Sequence, residues 1–152
     1  MGIQLESFVS DLLQVGGFLW VLRFPPPIKR IVESGKTLTV ISNLFLFRKQ
    51  LLEICMQSKQ DRILITHGTD TMLDTGAYLA KHNIPKTITI TGAFLPEAFK
   101  DSDADFNVGL ALGALQTMDK YGVYIAMNGQ INECDQMTRD NETFMFTNKI
   151  QQ

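Results

Sequence analysis

The sequence predicts a three-layer α/β domain in which helices cover both faces of a mostly parallel sheet. Two observations carry this reading. From about Lys59 onward, short β-branched runs alternate with amphipathic helical stretches, the order that βαβ units require. Three of the runs, at 62–66 (R-I-L-I-T), 87–91 (T-I-T-I-T) and 123–127 (V-Y-I-A-M), are each followed by a turn containing glycine.

Taken in chain order, the first 36 residues fit this pattern least well. A short helical pattern spans 5–14, and an apolar run at 16–24 reads as either a strand or part of a loop. Pro25, Pro26 and Pro27 then forbid a helix or a central strand. A strand is expected at 37–41, followed by an amphipathic helix at 45–57 (F-L-F-R-K-Q-L-L-E-I-C-M-Q). Crossover helices are expected at 71–82 and 103–118, where apolar residues fall at helical spacing. Pro85 stands beyond the first, and Asp101, Ser102 and Asp103 are able to cap the second. A length of 152 residues and 45% apolar content suit one domain over 1–152, with 1–36 divergent or truncated.

Composition narrows the partner classes. Fourteen basic and sixteen acidic residues leave a net charge of −2, so no global field recruits nucleic acid or an anionic membrane, and a small-molecule partner is expected. The longest apolar stretch, around 18–22, is too short to span a bilayer. A basic leader is lacking at the start, and Glu6 and Asp11 interrupt any apolar signal core, so a cytoplasmic location is expected. A myristoylation signal fails because position 6 is glutamate. Cys55 lies in a helical apolar pattern, far in sequence from Cys134, so buried free thiols are expected rather than a disulfide or zinc site.

The segment I-T-H-G-T-D-T at 65–71 places hydroxyls and a carboxylate where a strand ends and a helix begins, the position at which open α/β sheets bind ligands. Gly68 permits a tight turn, Thr69 and Asp70 can face the crevice, and the first helical amides offer donors to an anionic group. Asp70 can hold a ligand ammonium. On residue types alone, capping of the helix by Thr69 or Asp70 is the stronger reading. His67 is expected to orient the turn by hydrogen bonding, and His82 to sit exposed near a helix end. Asp101, Asp103 and Asp105 have the spacing of a calcium loop, but Phe106 and Leu112 stand where that loop needs glycine and glutamate. No metal site follows, and no dinucleotide or phosphate-loop glycine pattern implies a cofactor.

The full string H-G-T-D-T-M at 67–72 resembles the second signature of the bacterial-type L-asparaginases, a family of threonine amidohydrolases. T-G-A at 91–93 with a following proline, S-D-A-D-F-N at 102–107 and V-Y-I-A-M-N-G at 123–129 also resemble short members of that family, and the likeness runs from about Thr37 to Phe146. It implies a fold like the amino-terminal asparaginase domain and hydrolysis of asparagine's side-chain amide to aspartate and ammonia, with no cofactor. Residue by residue, it makes Thr69 a catalytic hydroxyl and Asp70 the partner of the substrate α-ammonium. Arg139, in M-T-R-D-N, falls at or next to the place where the family pattern has a proton-accepting lysine. An arginine is a permanent cation that supplies positive potential but no base. Ser42, in V-I-S-N, lies where the family has a serine that holds the substrate carboxylate, although the residues after it depart from the usual polar pattern.

The sequence departs from the family at its amino end. It carries no T-G-G-T, the signature whose threonine is the family's acyl-accepting nucleophile, and Thr75-Gly76 and Thr91-Gly92-Ala93 belong to other elements. Either 16–24 supplies the first strand or the chain is a truncated copy. Asparagine hydrolysis is the leading expectation. A catalytically inactive amino-acid-binding remnant is the alternative, and a flavodoxin-like phosphoacceptor ranks last because no acidic cluster follows the first strand. Self-association through the sheet stays open.

Overall fold

The computed structural model describes residues 19–23, 28–33, 36–41, 44–95, 99–140 and 142–149, with side chains from Arg48 onward. Seven strands form one sheet: β1 (Leu19–Arg23), β2 (Ile28–Glu33), β3 (Lys36–Ile41), β4 (Arg62–Thr66), β5 (Thr87–Thr91), β6 (Gly122–Met127) and β7 (Gln130–Glu133), in the order β3-β2-β1-β4-β5-β6-β7. Neighbours β1, β4, β5 and β6 run parallel, while β2, β3 and β7 extend the two sides by antiparallel pairing. Strands β4 and β5 match the sequence expectation residue for residue, and β6 begins one residue earlier.

Within the apolar run at 16–24, Leu19–Arg23 form a strand. Leu19, Trp20 and Val21 of β1 pair in parallel with Ile63, Leu64 and Ile65 of β4, so β1 is an internal strand beside the one that leads into the candidate site. The three prolines lie between β1 and β2, outside the described residues, as does the helical pattern expected at 5–14. The strand expected at 37–41 is β3, an edge strand.

Three helices complete the layers: α1 (Leu44–Gln57), α2 (Met72–Ala80) and α3 (Ala104–Thr117). Strand alternation decides which face each helix covers, because successive side chains point to opposite sides of a sheet. Ile63, Ile65, Ile88, Ile90, Val123, Ile125 and Met127 face one side and pack with Leu51, Leu52 and Cys55 of α1 and Met72 and Leu79 of α2. Leu64 and Ala126 face the other side and pack with Ala111 and Leu115 of α3. This is the expected three-layer arrangement. Among the described residues, no helix is long and apolar enough to cross a membrane. Both cysteines are free and buried.

Central β5 is buried at all five positions although every second residue is threonine. Two of those hydroxyls are satisfied, Thr87 Oγ1 donating to Lys120 O at 3.0 Å and Thr91 Oγ1 to Ala126 O at 2.8 Å. After β6 the chain reverses through Asn128 and Gly129, both at positive φ (53° and 74°), and Met127 pairs directly with Gln130. This is the two-residue hairpin geometry that asparagine-glycine favours. A separate ribbon of β8 (Met137–Arg139) and β9 (Phe146–Asn148) follows, anchored where Phe146 N donates to Asn128 Oδ1 at 3.1 Å.

Candidate active site

In register, Thr66 of β4 pairs with Thr91 of β5, and Thr91 with Ala126 of β6, so the three parallel strands end nearly level at their carboxyl ends, the place where open α/β sheets bind ligands. Two backbones approach closely there. His67 N donates to Thr91 O at 2.7 Å, and a Cβ on Gly92 would stand 2.2 Å from the His67 carbonyl oxygen. Glycine at the centre of T-G-A is therefore a steric requirement of the neighbouring H-G-T-D segment.

Beyond His67 the chain turns through Gly68 in an extended conformation (φ −72°, ψ 143°) into a single 3-10 turn, Thr69–Thr71, before α2 begins at Met72. Neither the 3-10 turn nor α2 has a side-chain cap bond at its amino end. The capping role that residue types alone favour for Thr69 or Asp70 is not what these side chains do. Instead, Asp70 Oδ1 accepts a hydrogen bond from Arg139 Nη1 at 3.0 Å, an ion pair spanning 69 residues of sequence.

Arg139 is held from several sides. Its Nε donates to Phe144 O at 3.0 Å, and its guanidinium carbon lies 5.9, 5.2 and 5.8 Å from the ring centres of Phe94, Phe144 and Phe146. Phe144 takes a left-handed conformation (φ 59°), unusual for a bulky residue. The turn before it is tied together by the Asp140 carboxylate, which accepts from Glu142 N at 3.0 Å and from Thr143 N and Oγ1 at 2.6 and 2.8 Å. Those bonds hold the Asp140 carboxyl below its usual range. A cation resting on aromatic faces loses little mobility by pairing with a carboxylate. The Arg139 side chain is accordingly only 24% exposed, while Asp70 is 87% exposed and open to a ligand.

Behind the turn, His67 is 3% exposed. Its Nδ1 bonds to Gly68 O at 2.8 Å and its Nε2 to Thr75 Oγ1 at 3.0 Å, the turn-orienting role expected for it. Thr75 also accepts from Arg48 Nε at 3.3 Å, and Arg48 Nη2 pairs with Asp74 Oδ2 at 3.2 Å.

On the other flank, Asp103 stands at the amino end of α3 but makes no cap bond. Its carboxylate reaches back to the loop after β5, accepting from Phe94 N at 2.9 Å, Leu95 N at 3.2 Å and Asn107 Nδ2 at 2.8 Å. Ser102 Oγ accepts from Ala104 N at 3.1 Å. Of the three residues expected to cap α3, Ser102 contacts its first amide and Asp103 shapes the loop after β5.

The structure thus brings Gly68, Thr69 and Asp70 to one strand end and Arg139 to Asp70. Ser42 lies outside the described residues. The sequence reading missed Arg48 and Thr75, for which no local signal exists, and the aromatic bed of Arg139, for which F-M-F at 144–146 was an available hint. Among the described residues, no group of three or more His, Cys, Asp or Glu side chains is placed to hold a metal ion.

A family model described as the amino-terminal domain of asparaginase matches residues 44–147. The chain belongs to the asparaginase family. It is 31% identical over 94 residues to L-asparaginase 2 of Escherichia coli, covering 60% of this chain and 27% of that protein. To the L-asparaginase of Thermococcus kodakarensis it is 28% identical over 133 residues, covering 86% of this chain and 40% of the relative. A probable periplasmic L-asparaginase of Haemophilus influenzae is 30% identical over 90 residues, covering 57% of this chain and 26% of its own. The solved structure of the thermostable L-asparaginase from Thermococcus kodakarensis superposes with a TM-score of 0.57 at 27% identity, over 68% of this chain and 32% of that one. This asparaginase-family chain therefore spans less than half the length of each of these relatives. The match agrees with the resemblance carried by H-G-T-D-T-M and with the three-layer fold.

Proposed function

We propose that this chain binds L-asparagine at the carboxyl end of β4 and hydrolyses its side-chain amide to L-aspartate and ammonia. The observation that carries the reading is the meeting of Asp70 and Arg139 at 3.0 Å beside Thr69, in a segment that reads H-G-T-D-T in a member of the asparaginase family. In this assignment Asp70 holds the substrate ammonium by a charge-assisted hydrogen bond. By the family resemblance Ser42 and Gly68 are assigned to substrate binding, Ser42 to the α-carboxylate, and Arg139 supplies positive potential for the oxyanion formed as the amide carbon is attacked. Thr69 Oγ1 is the reacting hydroxyl. Its oxygen bonds to the amide carbon, the C–N bond breaks, and the departing nitrogen carries the hydroxyl proton away as ammonia. Water then cleaves the ester, releasing aspartate and restoring Thr69.

A second reading, an amino-acid-binding protein without turnover, is favoured by one specific observation. Arg139, at or next to the place where the family pattern has a lysine, stands against Asp70, and a guanidinium takes no proton from Thr69.

Ammonia release from asparagine by the purified chain, with Thr69→Ala alongside, separates the two. Release that disappears in Thr69→Ala is the outcome expected for the hydrolase. No release, with aspartate still raising the melting temperature, would establish the binding protein instead. For either, Asp70→Ala is expected to weaken aspartate binding by on the order of 2 kcal/mol, because the ligand ammonium loses a charge-assisted partner. Unchanged affinity in calorimetry would remove Asp70 from the site.

A further inference from the structure

Arg48, Thr75 and His67 form a chain of polar contacts that starts on α1, passes through α2 and ends at the backbone of the candidate site. Its chemistry has a fixed direction. His67 Nδ1 lies 2.8 Å from Gly68 O and its Nε2 lies 3.0 Å from Thr75 Oγ1, so the Nδ1–H tautomer, which donates to the carbonyl, is held where the Thr75 hydroxyl gives its proton to Nε2. Arg48 Nε only donates, so Thr75 Oγ1 receives it at 3.3 Å and turns its own proton toward His67 Nε2, 3.0 Å away. Asp74 completes the arrangement by holding the outer end of the Arg48 guanidinium at 3.2 Å.

We propose that Arg48 is a positioning residue of the candidate site: through Thr75 it fixes the Nδ1–H tautomer of His67, and through His67 it sets the Gly68 carbonyl and the Thr69–Asp70 segment that follows. Neither Arg48 nor Thr75 touches the ligand in this assignment. The effect on ligand affinity rests on the site assigned above, whereas the effect on His67 does not.

The test is long-range nitrogen–proton correlation of the imidazoles in the full chain at pH 8, where only two histidines contribute and His82→Asn identifies the second. Aspartate affinity is measured in parallel. In the wild type, His67 shows a protonated Nδ1 and an acceptor Nε2. Arg48→Met, which keeps the aliphatic stem, and the isosteric Thr75→Val each convert this to a mixture of tautomers. Each lowers aspartate affinity roughly tenfold, and Thr75→Ser restores both readouts. An Nε2–H tautomer in the wild type overturns the proposal. So does an unchanged tautomer in both Arg48→Met and Thr75→Val. A tautomer shift that leaves the aspartate affinity of a binding wild type untouched overturns it as well. If the wild type binds no aspartate, a tautomer response restored by Thr75→Ser supports the positioning chain while the site assignment itself fails.

Discussion

At the scale of single residues, the contact between Arg139 and Asp70 has two consequences for a ligand. It neutralises part of the negative charge that would attract an ammonium, and it occupies Oδ1 at 3.0 Å. Exposed ion pairs are worth little, about 1 kcal/mol at most, so a ligand can displace this one at modest cost. Arg139→Met keeps an unbranched stem against Phe94, Phe144 and Phe146 and removes the competing donor. In a Thr69→Ala background, where asparagine persists, the variant is expected to bind this net-neutral zwitterion roughly threefold to fivefold more tightly, the equivalent of the released ion pair. Calorimetry showing equal or weaker binding would mean that Arg139 supports the ammonium site instead of competing for it. Thr69 and Asp70 were legible in the sequence because they sit in one contiguous string. Their partners were less so: Arg139 entered only through the family resemblance, and Arg48 meets Thr75 through packing of α1 on α2, which leaves no local trace.

At the scale of elements, the parallel strands were readable because β-branched residues fill them and glycine turns end them. The misses have physical reasons. Strand β7 is short and half-polar, yet Asn128-Gly129 ahead of it is a strong hairpin signal that went unread. Strands β8 and β9 have three residues each, too few for any periodicity. Strand β2 follows three prolines, whose effect on the chain is local and does not reach Ile28. Asp103 misled in the opposite sense, since a carboxylate before a helix reads as a cap, whereas here two loop amides claim it first. The close junction of β4 with β5 was legible only as a motif, and it can be tested. Gly92→Ala places a methyl 2.2 Å from His67 O and 2.8 Å from Met72 Cε, and a backbone carbonyl cannot move aside as a side-chain end can. The variant is expected to lose on the order of 2 kcal/mol of stability in urea denaturation. An unchanged midpoint would show that the strand ends are free to separate.

At the scale of the whole molecule, the parallel strands β4, β5 and β6 are packed between helices on both faces, and that burial determines how stability responds to alkali. Burial pushes the Cys55 thiol, on α1 against the sheet, up to about 12 from an ordinary 9.0, with nearby Lys86 opposing the shift. Burial also raises Tyr124, with Glu133 adding to it, and Cys134, with Asp135 and Glu133 adding to it. All three groups are neutral when protonated, so folding retains a proton that the unfolded chain gives up. Below the unfolded pKa both states hold it, so these groups add no pH dependence and their stabilising contribution is fully present. Between about 9 and about 12 the unfolded chain binds fewer protons, and the stabilising contribution of Cys55 is lost as pH rises through that window. Lysines and other tyrosines titrate in the same range, so the wild-type slope alone does not isolate the thiol. The difference from Cys55→Ala does: that variant starts less stable at pH 8, having lost a buried sulfur, and the gap to wild type is expected to shrink steadily in urea titrations from pH 9 to 11. Parallel curves across that range would show that Cys55 reaches solvent as a thiolate in the folded chain, and that α1 does not close over β4 and β5 as tightly as the packing of Leu51, Cys55, Ile63 and Ile88 requires.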